Sequence, residues 1–248
     1  MVRQENNVFA IAEIGINHGG DPMVAAKMIR AAKAAGANQA KFQSYRAAEL
    51  LGIDHPCYAE ADKAQMSPLN LVSLSAICDS VGIEFGLSIF HPDQVDFCEN
   101  GLHLKRYKVA SRAALNIDLL REIGQTKKPV IMSCGMTGPG VALDDAMRAL
   151  DGCPVTLLEC ICKYPAPIDA FDPMKMKALG YEYGVPYGFS SHCPLQGPTI
   201  AAVAHGASVI ENHILPDDGS YKGCDAASSM PMQEYAAMLK YIREMEVV

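Results

Sequence analysis

Short apolar runs rich in β-branched residues alternate with longer amphipathic stretches along most of the chain. Residues 8–14, 37–42, 83–89, 105–110, 129–133, 155–160, 185–189 and 208–210 read as strands. Between them, residues 22–36, 67–81, 91–99, 115–125, 140–150, 173–179 and 195–206 read as helices, and 232–245 as a closing helix. Local punctuation supports the boundaries. Asp21 and Pro22 suit an N-cap and first helical position, Gly36 suits a C-terminal cap, and Ser67-Pro68 opens another helix. Residues 43–66 are polar, without clear period, and read as an active-site loop. Eight strands, each followed by a helical candidate, predict parallel pairing and a closed (β/α)8 TIM barrel, with residues 1–248 forming one catalytic domain.

In such a barrel, chemistry sits at the C-terminal ends of the strands. Nearly every expected strand ends in a polar group: Glu13 and Asn17; Lys41 and Gln43; Ser88 and His91; Lys108 and Ser111; Ser133; Glu159 and Cys162; Ser190 and His192; Glu211 and His213. Lysines with hydroxyls suit a phosphate. Two imidazoles on adjacent strand ends suit a divalent metal with open positions. The plainer readings are a Lys41 snorkelling to the rim, a Lys108 belonging to the charged run from Lys105, and two hydrogen-bonded structural histidines. His205 reads as a helix-end dipole partner, the glycine-rich run from Gly135 to Gly140 as a turn, and Cys160 as packing.

Composition narrows the class. With 21 Lys and Arg against 28 Asp and Glu, the net charge of −7 argues against nucleic acid as a partner. No apolar run is long enough for a membrane span, and the N-terminal residues 1–7 are polar. Nine cysteines without CxxC pairs argue against a disulfide framework and for a reduced, cytoplasmic setting.

Seven segments in order resemble the sialic acid synthase family, which makes N-acetylneuraminate and its relatives. They are Ile11 to His18 with Gly20-Asp21; Gly36-Ala37 with Lys41-Phe42-Gln43; Tyr107 to Ser111; Lys128 to Met136; Tyr164 to Pro167; Gly188 to His192; and Gly206-Ala207 through Glu211-Asn212-His213. Asp225 and Ser229 match a later segment. The resemblance implies a transferase that condenses phosphoenolpyruvate (PEP) with an N-acylated amino sugar or related aldose. The product is a 2-keto-3-deoxy sugar acid of nonulosonic type, with release of phosphate.

By the resemblance, Lys41, Lys108, Ser111, Ser133 and Ser190 hold PEP, with Ser88 nearby. His192 and His213 bind a divalent metal, manganese in the first place and magnesium or cobalt as alternatives. Gln43, Tyr164 and Asp225 face the sugar or metal-bound water, Glu13 handles protons, and the protein forms a homodimer. Four positions depart from the family pattern: Ala113 in place of a carboxylate, Cys162 of an asparagine, Glu159 of a histidine and Ser191 of an aspartate. The expected C-terminal antifreeze-like domain is also absent from the chain. Another metal-dependent aldolase or lyase, or a non-catalytic sugar or phosphate binder, are the competing readings.

Overall fold

The computed structural model describes residues 7–216 and 221–246; the polar N-terminal residues 1–6 noted above lie outside them. The elements run β1 (Phe9–Glu13), α1 (Pro22–Ala34), β2 (Gln39–Ser44), α2 (Ala47–Leu50), α3 (Tyr58–Lys63), α4 (Pro68–Val81), β3 (Glu84–Ile89), β4 (Tyr107–Val109) and α5 (Ile117–Gln125). They continue as β5 (Val130–Ser133), α6 (Val141–Ala149), β6 (Val155–Cys160), α7 (Pro173–Tyr183), β7 (Tyr187–Ser191), α8 (Gly197–Ala204), β8 (Val209–Leu215), β9 (Met230–Pro231) and α9 (Met232–Glu246). Strands β1 to β8 pair in sequence order, all parallel, and β1 pairs with β8 to close the barrel.

The helix starts follow from the capping chemistry expected. The Asp21 carboxylate accepts from the backbone N–H groups of Met23 and Val24, with Pro22 in the first turn. Ser67, Asn116 and Asp172 cap α4, α5 and α7 in the same way. Gly82 and Gly184 end α4 and α7 in the left-handed conformation, at φ 72° and 63°.

Strand side chains alternate between two cores. Outward residues such as Ala12, Phe42, Leu87, Met132, Leu157, Phe189 and Ile210 pack under the helices. Inward Ile11, Ile131, Leu158 and Val209 fill the barrel centre. Gly188 belongs to that layer, because a Cβ there would collide with the Val209 carbonyl. Two residues further along, the inward positions turn polar on every barrel strand but β6: Glu13, Lys41, Ser88, Lys108, Ser133, Ser190 and Glu211 are all buried. The apolar layer thus acts as a floor that fixes a polar layer at the C-terminal mouth.

The structure corrects several expected boundaries. Residues 91–99 form a 3-10 turn at Pro92–Gln94 and a π-turn at Phe97–Gly101 instead of one helix. The 43–66 stretch contains α2 and α3. β8 runs to Leu215 rather than ending at residue 210, because the polar run Glu211, Asn212 and His213 stays paired in register with Ile11, Ala12 and Glu13 of β1. The two-residue β9 pairs with the end of β8. One cysteine pair is joined: Cys57, before α3, and Cys224, after β8, form a disulfide across 167 residues of sequence. The cysteine pattern, which argues against a disulfide framework, gives no sign of it, since nothing in the spacing brings these loops together.

Candidate active site

At the mouth, four charged side chains form a buried network. Lys41 Nζ lies 2.7 Å from Glu13 Oε2 and 3.6 Å from Glu211 Oε2. Lys108 Nζ lies 3.3 Å from Glu211 Oε1. The register explains the contacts: Glu13 stands opposite Lys41 on β2 and opposite His213 on β8. Hydroxyls surround both lysines. Lys41 donates to Ser88 Oγ at 3.1 Å, Lys108 donates to Ser133 Oγ at 2.8 Å, and Ser190 donates to Glu211 Oε1 at 2.8 Å. Gln43 donates to Glu13 Oε1 at 2.6 Å.

The two carboxylates are not equivalent. Two lysines and the Ser190 hydroxyl hold Glu211 ionised against the cost of burial, at about 2. Burial and the neighbouring Glu211 charge outweigh Lys41 at Glu13 and push its carboxyl up to about 7. Lys108 is lowered by burial, whereas Lys41, flanked by both carboxylates, is raised. One carboxyl is therefore locked as an anion, and its neighbour sits poised between two protonation states.

The histidines stand beside this network. The rings of His192 and His213 lie 5.4 Å apart, centroid to centroid. His192 donates its Nδ1–H to the Ile161 carbonyl at 2.7 Å, which leaves the lone pair on Nε2. Tyr164 donates to that Nε2 at 2.7 Å, and its ring stacks on the imidazole at 4.0 Å. His213 Nδ1 is buried without a hydrogen-bond partner and lies 3.6 Å from Asp225 Oδ2. Burial lowers both imidazoles below their ordinary value, so both are neutral near pH 7. Burial also pushes Asp225 up to about 6.

Among the described residues, no group of three or more His, Cys, Asp or Glu side chains is arranged as a ready metal cage. Two neutral imidazoles, one with an orphaned buried nitrogen, nonetheless fit a divalent cation that keeps open coordination positions.

The structure gathers Glu13, Lys41, Gln43, Ser88, Lys108, Ser133, Ser190, His192, His213, Tyr164 and Asp225 at one mouth. Ser111 stands apart from the lysine pair. Its Oγ accepts the Met136 N–H at 2.7 Å and meets the Cys162 thiol at 3.5 Å. The sequence reading names Glu211 at a strand end but gives it no role, although it bridges the two lysines. The signal was its i, i+2 spacing from His213 on an inward strand face. Glu60 is missed entirely. It accepts from the Cys224 N–H and from the Tyr221 hydroxyl, and so ties α3 to the loop that carries Asp225. Ala113 lines a cleft of about 200 Å³ beyond the ends of β2, β3 and β4, with Tyr45, Phe90, His91 and Arg112.

A closed parallel barrel with paired lysines, carboxylates and imidazoles at its strand ends defines a polar small-molecule site of the barrel-enzyme type. Residues 28–248 match the model of the NeuB family, and the chain belongs to that family. It is 32% identical to the N,N'-diacetyllegionaminic acid synthase of Legionella pneumophila, over 97% of this chain and 72% of that protein. It is 28% identical to the pseudaminic acid synthase of Helicobacter pylori, over 94% of this chain and 73% of that one. The N-acetylneuraminic acid synthetase of Leptospira borgpetersenii, solved with citrate, superposes with a TM-score of 0.92 at 28% identity; the match covers 98% of this chain and 85% of that one.

Proposed function

We propose that this protein condenses phosphoenolpyruvate with an aldose, an N-acylated amino sugar or a close relative, to give a 2-keto-3-deoxy sugar acid and phosphate. The observation that carries the proposal is the pair Lys41 and Lys108, buried together with Ser88, Ser133 and Ser190 at one barrel mouth. Ammonium groups and hydroxyls in a water-poor site recognise a phosphate and a carboxylate at once.

Lys41 and Lys108 hold the PEP anion, and their hydroxyl partners fix its orientation. With both carboxylates ionised the quartet is neutral; with Glu13 protonated it carries one net positive charge. Anion binding and proton retention on Glu13 therefore favour each other. The methylene carbon of PEP forms the new bond to the aldehyde carbon of the sugar. Water adds at the former enol carbon, and the tetrahedral adduct expels phosphate. Glu13, hydrogen-bonded to Gln43, takes the proton from that water in its ionised form, the minority form while PEP is bound. Tyr164 and the Ile161 carbonyl hold His192, and Asp225 faces His213. His192 and His213 would hold a divalent cation, manganese first, which when bound supplies Lewis acidity at the sugar aldehyde oxygen. The cleft beside Ala113 offers room for the acceptor, where the family pattern has a carboxylate.

The test is phosphate release from PEP with a panel of N-acylated amino sugars and Mn²⁺. Release that requires both PEP and one acceptor supports the proposal. No release with any acceptor in the panel, despite PEP binding, would point to the aldolase or binding-protein readings.

A further inference from the structure

Two thiols close the end of β6. Cys160 is its last residue and is buried, and Cys162 stands two positions on and is exposed. On extended backbone that spacing puts both side chains on one side. Of the seven free cysteines in the described chain, five are buried, Cys153 is half-buried, and Cys162 alone is exposed.

Its surroundings suit a reactive sulfur. The Ser111 Oγ lies 3.5 Å from the Cys162 sulfur. That oxygen already accepts the Met136 N–H, so its own hydrogen is free to donate to a thiolate. Gly135 leaves the space in which the sulfur sits, since a Cβ there would lie 2.7 Å from Cys162 Sγ. Its neighbours Cys160 and Ser111 bring the Cys162 thiol down to about 6, whereas burial pushes Cys78, Cys98 and Cys134 up to about 12.

We infer that Cys162 is a peroxide-reactive modification site at the lip of the active site, with Cys160 as its resolving thiol. The Cys162 thiolate attacks one oxygen of a hydroperoxide. The O–O bond breaks, hydroxide (or the corresponding alkoxide) leaves, and the sulfur becomes a sulfenic acid. The Cys160 thiol then displaces that hydroxyl as water and forms the Cys160–Cys162 disulfide. The link spans Ile161, whose carbonyl accepts the His192 Nδ1–H. It also draws Cys162 away from Ser111. Oxidation therefore disturbs His192 and Ser111 together and closes the site reversibly; only this last consequence rests on the function proposed above.

The experiment treats the full chain with stoichiometric hydrogen peroxide, digests it with trypsin without reductant, and maps the peptide 149–163. That peptide also holds Cys153, so fragmentation between Cys153 and Cys160 assigns the change. We expect loss of two hydrogens between Cys160 and Cys162, reversed by dithiothreitol. In Cys160→Ala the reaction stops at a Cys162 sulfenic acid that dimedone traps. Equal oxidation of Cys153 and Cys162, or no trapped sulfenic acid in Cys160→Ala, would overturn the site. Phosphate release is expected to fall at least tenfold in the oxidised protein and to return with reductant. Unchanged release from the mapped disulfide form would overturn the closure. A protein inactive before oxidation would overturn the proposed function instead, and the peptide map would still decide the thiol chemistry.

Discussion

Lys41 Nζ meets Glu13 Oε2 at 2.7 Å, with both side chains almost wholly removed from solvent. Removing one partner of such a pair strands the other charge in a poor dielectric, which typically costs about 3–5 kcal/mol. Lys41→Ala is therefore expected to lose about that much stability in urea unfolding and to lose PEP binding as well. The double variant Lys41→Met with Glu13→Gln should recover most of the stability but none of the binding. A Lys41→Ala protein as stable as the parent would show that the pair is absent in solution.

The Glu13 carboxyl is raised from 4.5 to about 7 by burial and by Glu211, so the folded state holds its proton more tightly than the unfolded chain does. Its contribution to stability is complete below about pH 4.5 and is lost as pH rises to about 7. Glu13→Gln removes this dependence. Whatever its absolute stability, the difference between variant and parent should shift in the variant's favour from pH 5 to pH 8, by up to about 3 kcal/mol. PEP affinity of the parent should fall as pH rises through about 7, and more steeply than that of Glu13→Gln. Identical pH profiles for the two proteins, by calorimetric PEP titration, would contradict this assignment.

His213 Nδ1 has no hydrogen-bond partner, so losing the ring orphans little else. His213→Ala should abolish Mn²⁺ binding in calorimetry while leaving the circular dichroism spectrum unchanged. Because burial keeps both imidazoles neutral, Mn²⁺ affinity of the parent should persist below pH 6.5, where an exposed histidine pair would already be protonated. Full Mn²⁺ affinity in His213→Ala would move the metal elsewhere.

Gly135 lies against the end of β6. A Cβ there would run into the Cys160 carbonyl and come within 2.7 Å of the Cys162 sulfur. Gly135→Ala is expected to cost about 1–3 kcal/mol through this overpacking and to lower turnover by displacing Cys162 and Ser111. Unchanged melting temperature and turnover would mean that the two loops do not touch.

The barrel was legible because its strands and helices obey local rules. Asp21, Pro22 and Ser67 act where capping chemistry puts them. Most of the mouth was legible for a related reason: polar residues such as Lys41 and Lys108 interrupt apolar strands and demand an inward, partnered position. What stayed hidden depends on three-dimensional closure. The extension of β8 to Leu215 needs β1 beside it. The Cys57–Cys224 disulfide and the Glu60 tether join segments more than 160 residues apart. The role of Glu211 emerges only when Lys41 and Lys108 arrive from two other strands. The broken helix at 91–99 reflects packing of Gln94 back onto Ser44, to which it donates at 2.8 Å and which no local pattern announces.

The central claim is that the buried lysine pair activates PEP toward a sugar aldehyde. The most direct measurement is acceptor-dependent phosphate release from PEP with Mn²⁺, comparing the parent with Lys108→Met. The parent should release one phosphate for each 2-keto-3-deoxy acid formed, and Lys108→Met should lose at least a thousandfold in kcat/KM. Phosphate release that needs no acceptor, or that survives in Lys108→Met, would contradict the account.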